Sequence, residues 1–580
     1  MAAFEGTPLV WRVGLILAVT LMPLAVILAV VFGWLRQQQA KIILNLAARL
    51  SPRKIVKFDL PLVKLVLIGL VTQLIYVVYI IAFPLISNTR AGGPAADLEI
   101  LMRDFRWFAP LYTLGILLLY YLFWQAMRLV WSLDPPSAPL SASRSSLLAS
   151  PSSLSASRST CKLLILAFGL LFGFTLVWLY PITANDLFRY VLRGRIWAVY
   201  GASPMLTPPN AFPDDPYAAF AGEFGEWVSG YGPLWEILVQ APLRLGATGM
   251  VPGSISLKLV VLLFYLLCAV LIGWFARLKT GSALAALTFF AWNPLVLMQG
   301  PGNGHNDLVF MALMVLGIIL WQRRLWWAAV LALTLSALAK ASALPIIPLF
   351  GVVLLRNEPT WSRRLVKAAL AGLIGLATAY LVYSALGPVL DTLTGVTDML
   401  TTRRGFAIAS GLRMVLREII PWDVAEALPR TTARYIFILF YLWLLLQLWR
   451  DRLNLLNATF LAYFSQLMLG STFRIWYPLW LIPLAAFQLT PATFWRITLF
   501  GLTSELSIIN YFVVWRWWLR DLPWDRLLGL GHNLYYWTVM HVLTVPWLFG
   551  IPLLGPILMK WRRGRAATVQ PSTSPVSESL

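Results

Sequence analysis

Runs of about 20 apolar residues recur from one end of this chain to the other, and they are continuous rather than alternating with a period of two. That pattern predicts helices that cross a hydrocarbon core, because a membrane barrel would alternate. On the length rule of about 20 residues per crossing, about fifteen spans are expected. They fall at 10–35, 61–87, 107–131, 162–182, 256–276, 282–300, 306–321, 325–339, 343–355, 365–387, 434–449, 453–470, 475–489, 497–514 and 536–559. The first is too long for a secretory h-region and is expected to be retained. The expected fold class is therefore an all-α polytopic membrane protein.

Basic residues then orient the spans. Arg36, Lys41, Arg49, Arg53, Lys54 and Lys57 follow the first span. Arg323, Arg324, Arg356, Arg363, Arg364, Lys367, Lys560, Arg562, Arg563 and Arg565 fall on the same side by this count. With that side cytoplasmic, the N-terminus is outside, the C-terminus inside, and 183–255, 301–305, 340–342, 388–433, 471–474 and 515–535 reach the outer face. Residues 1–133 are expected to form an N-terminal three-helix region and 134–160 a Ser/Pro-rich cytoplasmic linker. A transmembrane core fills 161–560, with a long helical outer loop at 183–255, and a disordered basic tail fills 561–580.

Composition agrees with the pattern. The 580 residues are 59% hydrophobic and 12% charged, with a mean hydropathy of +0.75, against roughly a quarter charged in soluble domains. The net charge of +22 is explained by juxtamembrane basic residues and anionic lipid, so no nucleic-acid partner is expected. Cys161 and Cys268 suggest no disulfide framework, and His305, His532 and His541 show no metal-ligand spacing. The chain has no GxxxxGK[ST] loop and no convincing dinucleotide fingerprint.

Candidate chemistry sits at the outer ends of the spans. In YPITANDLFRYVLRGRIWAVYG, Asp186 follows a long apolar run and opens a predicted interfacial helix, with Asn185 as its cap. Phe188, Leu192, Ile196 and Val199 make the apolar stripe, while Asp186, Arg189 and Arg193 share another face. One reading is an ion pair on a surface helix; the other makes Asp186 a general base with phosphate-attracting arginines beside it. In EWVSGYGPLWE, Trp227, Tyr231 and Trp235 offer either an interfacial aromatic belt or a sugar platform. In NPLVLMQGPGNGHND, residues 293–307, three glycines allow a tight turn, and Asn303 to Asp307 open a helix whose amides favour an anion. His305, Asn306 and Asp307 together at a membrane boundary need partners. Lys340, in LSALAKASALP, and Arg474, in STFRIWYPLW, either snorkel or meet a phosphate, since a cation at depth costs roughly 2.5–3.5 kcal/mol.

Five of these motifs in order, NDLFRYVLRGRIWAVYGASPM (185–205), SGYGPLWE (229–236), NPLVLMQGPGNGHND, LAKASALPIIP (338–348) and FRIWYPLWLIPLAA (473–486), resemble the GT-C superfamily of polytopic glycosyltransferases. They look closest to polyprenol-phosphate-mannose-dependent α-1,6-mannosyltransferases of bacterial lipoglycan synthesis, over roughly 162–490. The resemblance implies an inverting transferase that takes a hexose, mannose first, from polyprenyl phosphate to a lipid-linked or cell-envelope glycan at the outer face of the cell membrane. It implies Asp186 as the base. Arg189, Arg193, His305, Lys340 and Arg474 would meet the donor phosphate or lipid. Asn185, Tyr190, Trp227, Tyr231, Trp235, Asn306, Asp307, Trp476 and Tyr477 would line the sugar and acceptor site. No cofactor or metal is predicted, although some GT-C enzymes use divalent ions. The competing classes are a lipid-linked sugar transporter or flippase, which would need inverted repeats and mid-membrane polar groups, a non-catalytic scaffold, and a ligase using a diphosphate-linked donor.

Overall fold

A computed structural model of the chain describes residues 60–89, 107–134, 151–279, 282–393, 407–417, 419–510, 541 and 544–557. Among them the regular structure is helical, with one isolated bridge between Pro84 and Leu179. Among the described residues, six helices are long and apolar enough to cross a membrane: Pro61–Ala82, Ala109–Leu133, Arg158–Leu176, Met250–Ala276, Trp361–Ser384 and Trp422–Trp449. A bent pair, Ala283–Ala291 and Pro294–Gly302 at 46°, makes a seventh if counted as one span. Shorter apolar helices occupy Asp307–Gln322, Trp326–Ala339, Ala341–Arg356, Leu455–Leu469, Tyr477–Ala486 and Thr544–Ile557. The predicted span 10–35, the segment 515–535, the basic positions at 36–57 and 560–565, His532 and the tail 561–580 lie outside the described residues.

The chain divides into two compact units. The first comprises Met1–Arg403, Leu439–Tyr463 and Leu479–Phe487; the second comprises Arg404–Ile438, Phe464–Pro478 and Gln488–Leu580.

In the first unit, helices Leu60–Ala82, Phe108–Leu133 and Pro151–Leu176 pack through aromatic side chains and a few buried polar bonds. Tyr79 donates its hydroxyl to the Tyr112 carbonyl at 2.6 Å, and Gln73 donates to Thr175 at 2.8 Å. Phe168 and Phe172 both meet the Trp292 ring edge-on. The third helix starts at Pro151 and so takes in residues 151–160 of the expected linker; proline is tolerated in a first helical turn, and the Ser/Ala/Leu run that follows does not forbid a helix.

Two features lead the chain from this bundle toward Asp186. The Pro84–Leu179 bridge is closed by Leu85 donating to the Trp178 carbonyl at 3.0 Å and Tyr180 to the Phe83 carbonyl at 2.8 Å. The ammonium of Lys258, fully buried, bonds the carbonyls of Leu176, the last residue of its helix, and of Leu179 just beyond it, where a cation meets the negative end of the helix dipole.

The break before the second motif also has a local cause. Asn293 accepts the Leu295 N–H at 3.1 Å and Pro294 fills the next position, a cap and first turn that restart a helix rather than continue one. Downstream, Ser336 donates to the Phe310 carbonyl at 2.7 Å, joining helices Asp307–Gln322 and Trp326–Ala339.

In the second unit, Phe473 stacks on Phe500 at 5.6 Å and meets Phe549 edge-on at 5.0 Å. Arg413 forms a two-pronged pair with Glu426, at 2.6 and 2.9 Å.

Candidate active site

The helix that opens with Asp186 runs Asp186–Ala198. The sequence predicts an interfacial helix with one wet face, yet Leu187, Phe188 and every residue from Tyr190 to Ile196 are buried. The reason is the rest of the 183–255 loop, which folds back over it. Phe220 meets Phe188 edge-on at 5.1 Å, the Arg189 guanidinium lies 4.0 Å from the Phe224 ring centre, and Tyr231 and Trp235 pack against Tyr190. Asn185 occupies the cap position as predicted, but its side chain makes no capping bond; its carbonyl receives Phe188 and Arg189.

The expected shared face splits in two. Asp186 and Arg189 form an ion pair at 3.0 Å, with their side chains 15% and 20% exposed. Arg193, 2% exposed, turns instead toward the Tyr231 ring at 5.5 Å and acts electrostatically on Glu236. Arg195, one turn beyond Val191, anchors the loop through a buried pair with Asp215 at 2.7 Å, to which the Tyr200 hydroxyl also donates. Burial alone would raise the Asp215 carboxyl; the bonds from Arg195, the Tyr217 N–H and Tyr200 outweigh it and hold the group below its ordinary value.

Thr183 brings the two first motifs together. Its N–H donates to Asn303 at 3.3 Å and its hydroxyl bonds Gln299 at 3.0 Å. Asn303 in turn donates to the Met298 carbonyl and to Gln299. Gly304 has a φ of +75°, and a side chain there would come 2.8 Å from Leu187, so the turn needs glycine for both shape and room. His305 therefore lies within electrostatic reach of both Asp186 and Asp307. Burial lowers the His305 ring to about 4, against the opposing pull of those two carboxylates and with help from Lys340. Tyr190 is pushed well above its ordinary value, first by burial and then by Tyr231, Asp186 and Asp307.

Asp307 is held on every side. Lys340 reaches both of its oxygens at 2.8 Å, the Trp480 indole N–H donates at 2.5 Å, and none of the residue is exposed. Lys340 also donates to Asn306 at 3.3 Å. The loop carrying Tyr231 abuts the same place: a side chain at Gly232 would lie 2.0 Å from the Leu338 carbonyl oxygen. Tyr231 and Trp235 are buried, whereas Trp227 is 40% exposed.

Arg474, Trp476 and Tyr477 belong to the second unit. There the Arg474 carbonyl accepts the Tyr477 N–H at 2.9 Å, and the two rings meet edge-on at 5.9 Å.

Asp186, Arg189, Tyr190, Arg193, Tyr231, Trp235, His305, Asn306, Asp307 and Lys340 are thus linked through one network in the first unit. Sequence reasoning missed Thr183, Gln299, Trp480 and Glu236. Glu236 had a signal, as a lone acid in the apolar run PLWEILV; Trp480 lay within the FRIWYPLWLIPLAA motif, but nothing local tied it to Asp307, 173 residues away.

The family model described as Alpha-(1->6)-mannopyranosyltransferase, N-terminal domain, matches residues 67–356, half of the chain. That stretch contains Asp186, the GNGHND turn and Lys340. The Alpha-(1->6)-mannopyranosyltransferase A of Mycobacterium tuberculosis is 26% identical over 235 residues, covering 38% of this chain and 44% of the relative's own length. The chain belongs to the alpha-(1->6)-mannopyranosyltransferase family.

Proposed function

We propose that this chain is an inverting GT-C glycosyltransferase that moves a hexose, mannose by its family, from polyprenyl phosphate to a lipid-linked or cell-envelope glycan at the extracytoplasmic face. An α-(1→6) linkage is the one carried by the relative's name. The about fifteen spans, the outside N-terminus and the inside C-terminus are part of this proposal.

The observation that carries it is the placement of the Asp186 carboxylate. It pairs with Arg189 at 3.0 Å, keeps 15% of its side chain exposed, and faces the His305–Asp307 turn electrostatically. Asp307, by contrast, is fully buried and bonded at both oxygens, which leaves little room for a substrate hydroxyl. Asp186 is the carboxylate fitted to take a proton.

In the proposed step, Asp186 accepts the acceptor's hydroxyl proton. The oxygen attacks the sugar's anomeric carbon as the bond from that carbon to the phosphate oxygen breaks on the opposite face. The electron pair leaves with polyprenyl phosphate, and a β-linked donor becomes an α-linked product. Arg193 suits the departing phosphate, since its guanidinium is buried beside the Tyr231 ring and its Nε has no hydrogen-bond partner among the described residues. Arg189 and Lys340 add positive charge around the same network. His305, neutral at pH 7 on a value of about 4, serves as a hydrogen-bonding group rather than a cation. Arg474, Trp476 and Tyr477 stay outside the proposed step.

Purified protein in sealed vesicles, supplied with labelled polyprenyl-phosphate mannose and a membrane-impermeant mannoside, should give labelled product without any nucleotide sugar. Transfer that requires a nucleotide sugar, or sugar crossing the vesicle without bond formation, contradicts the proposal.

A further inference from the structure

Glu236 is an acid where an apolar residue would pack. It lies in the first turn of helix Pro233–Arg244 and is 1% exposed. One oxygen, Oε1, receives the Ser229 hydroxyl; the other, Oε2, is buried with no hydrogen-bond partner among the described residues. Three more buried polar atoms nearby share that condition: Trp235 Nε1 beside it, Gln240 Oε1 one turn later, and Nε of Arg193, whose charge acts on Glu236. Buried polar groups of folded proteins nearly always find partners, and leaving one without costs about 1–3 kcal/mol, more when charged. Burial pushes the Glu236 carboxyl above its ordinary value, against Arg193 and Ser229. Four such groups around one helix end call for a ligand rich in hydroxyls.

We propose that Glu236, with Trp235, Gln240 and Arg193, forms the subsite that binds the hydroxyls of the donor's hexose. The inference rests on the polyprenyl-phosphate-sugar reading above. A hexose carries hydroxyls that both donate and accept around an apolar ring. A carboxylate oxygen and a glutamine carbonyl accept from them, an indole N–H donates to them, and the Tyr190, Tyr231 and Trp235 rings supply the apolar wall, Tyr190 meeting Tyr231 and Trp235 edge-on at 4.8 and 5.0 Å. Connectivity favours this place: the sugar's anomeric carbon is bonded to a phosphate oxygen, so a phosphate at Arg193 carries the sugar's nearest hydroxyls with it.

Equilibrium binding to the full chain tests this without needing turnover. The probes are short-chain polyprenyl phosphate bearing β-mannose, the same lipid bearing β-glucose, its C2 epimer, and the sugar-free lipid phosphate. Glu236→Gln keeps the shape of the side chain. It should weaken the mannosyl lipid by about 10- to 100-fold, as expected for a lost hydrogen bond to a charged group, shrink the preference between epimers, and leave the sugar-free lipid within about twofold. Trp235→Phe should show the same contrast more weakly and decides the matter if the first variant does not fold. Equal weakening of all three lipids by either variant, or an unchanged mannosyl affinity, overturns the inference. A wild-type protein that binds none of them overturns both this and the proposed function; one that prefers the mannosyl lipid yet transfers nothing overturns the function alone.

Discussion

Two aspartates separated by 121 positions in sequence share one network and are held differently. Asp307 is buried with Lys340 on both oxygens and the Trp480 indole on one. Removing one member of a buried pair leaves the other charge uncompensated, typically at about 3–5 kcal/mol. Asp307→Asn should therefore lower the thermal unfolding midpoint sharply in detergent, and Asp307→Leu with Lys340→Met should recover most of that loss. Full stability of the single variant would remove the pair from this structural role. His305 gives a pH prediction. Its folded value, about 4, lies below its ordinary 6.5, so between these the unfolded chain holds more protons and stability rises with pH. This contribution is complete above about 6.5 and is lost as pH falls toward 4. His305→Gln should flatten the stability curve in that window, which thermal unfolding from pH 4 to 7 measures.

At the scale of elements, the Asp186–Ala198 helix and the turn before Asp307 were legible in the sequence because their signals are local. An apolar run ends, an acid follows, and a glycine-rich stretch opens the next helix. What the 3.6-residue period cannot say is which face stays wet. It grouped Arg193 with Asp186, whereas the returning loop buries Arg193 beside Tyr231 and Glu236. The Arg195–Asp215 pair was invisible for the same reason, since it depends on how prolines and short 3-10 turns fold that loop. Gly232 is where the loop touches the Lys340 region, and an added methyl would meet the Leu338 and Ala339 backbone. Gly232→Ala should cost about 1–3 kcal/mol by overpacking and reduce transfer further than stability alone explains, because the loop carrying Tyr231 would be pushed off the Leu338–Ala339 backbone that precedes Lys340. Activity equal to wild type at full occupancy would refute that coupling.

For the whole molecule, composition and periodicity announced an all-helical membrane protein, and the long apolar helices have that character. Helix breaks such as Asn293–Pro294 were less legible: hydropathy sees a continuous apolar run where a cap and a proline restart the helix. Five motifs spread over about 300 positions carried the family, and the family match spans the four in the first unit. The account turns on proton removal at Asp186, which single-turnover transfer from polyprenyl-phosphate mannose to a mannoside measures directly in Asp186→Asn and wild-type protein. The prediction is a rate lower by roughly 10²- to 10⁴-fold, the usual contribution of a general base, with donor affinity and unfolding midpoint little changed. A variant that transfers within a few-fold of wild type contradicts it.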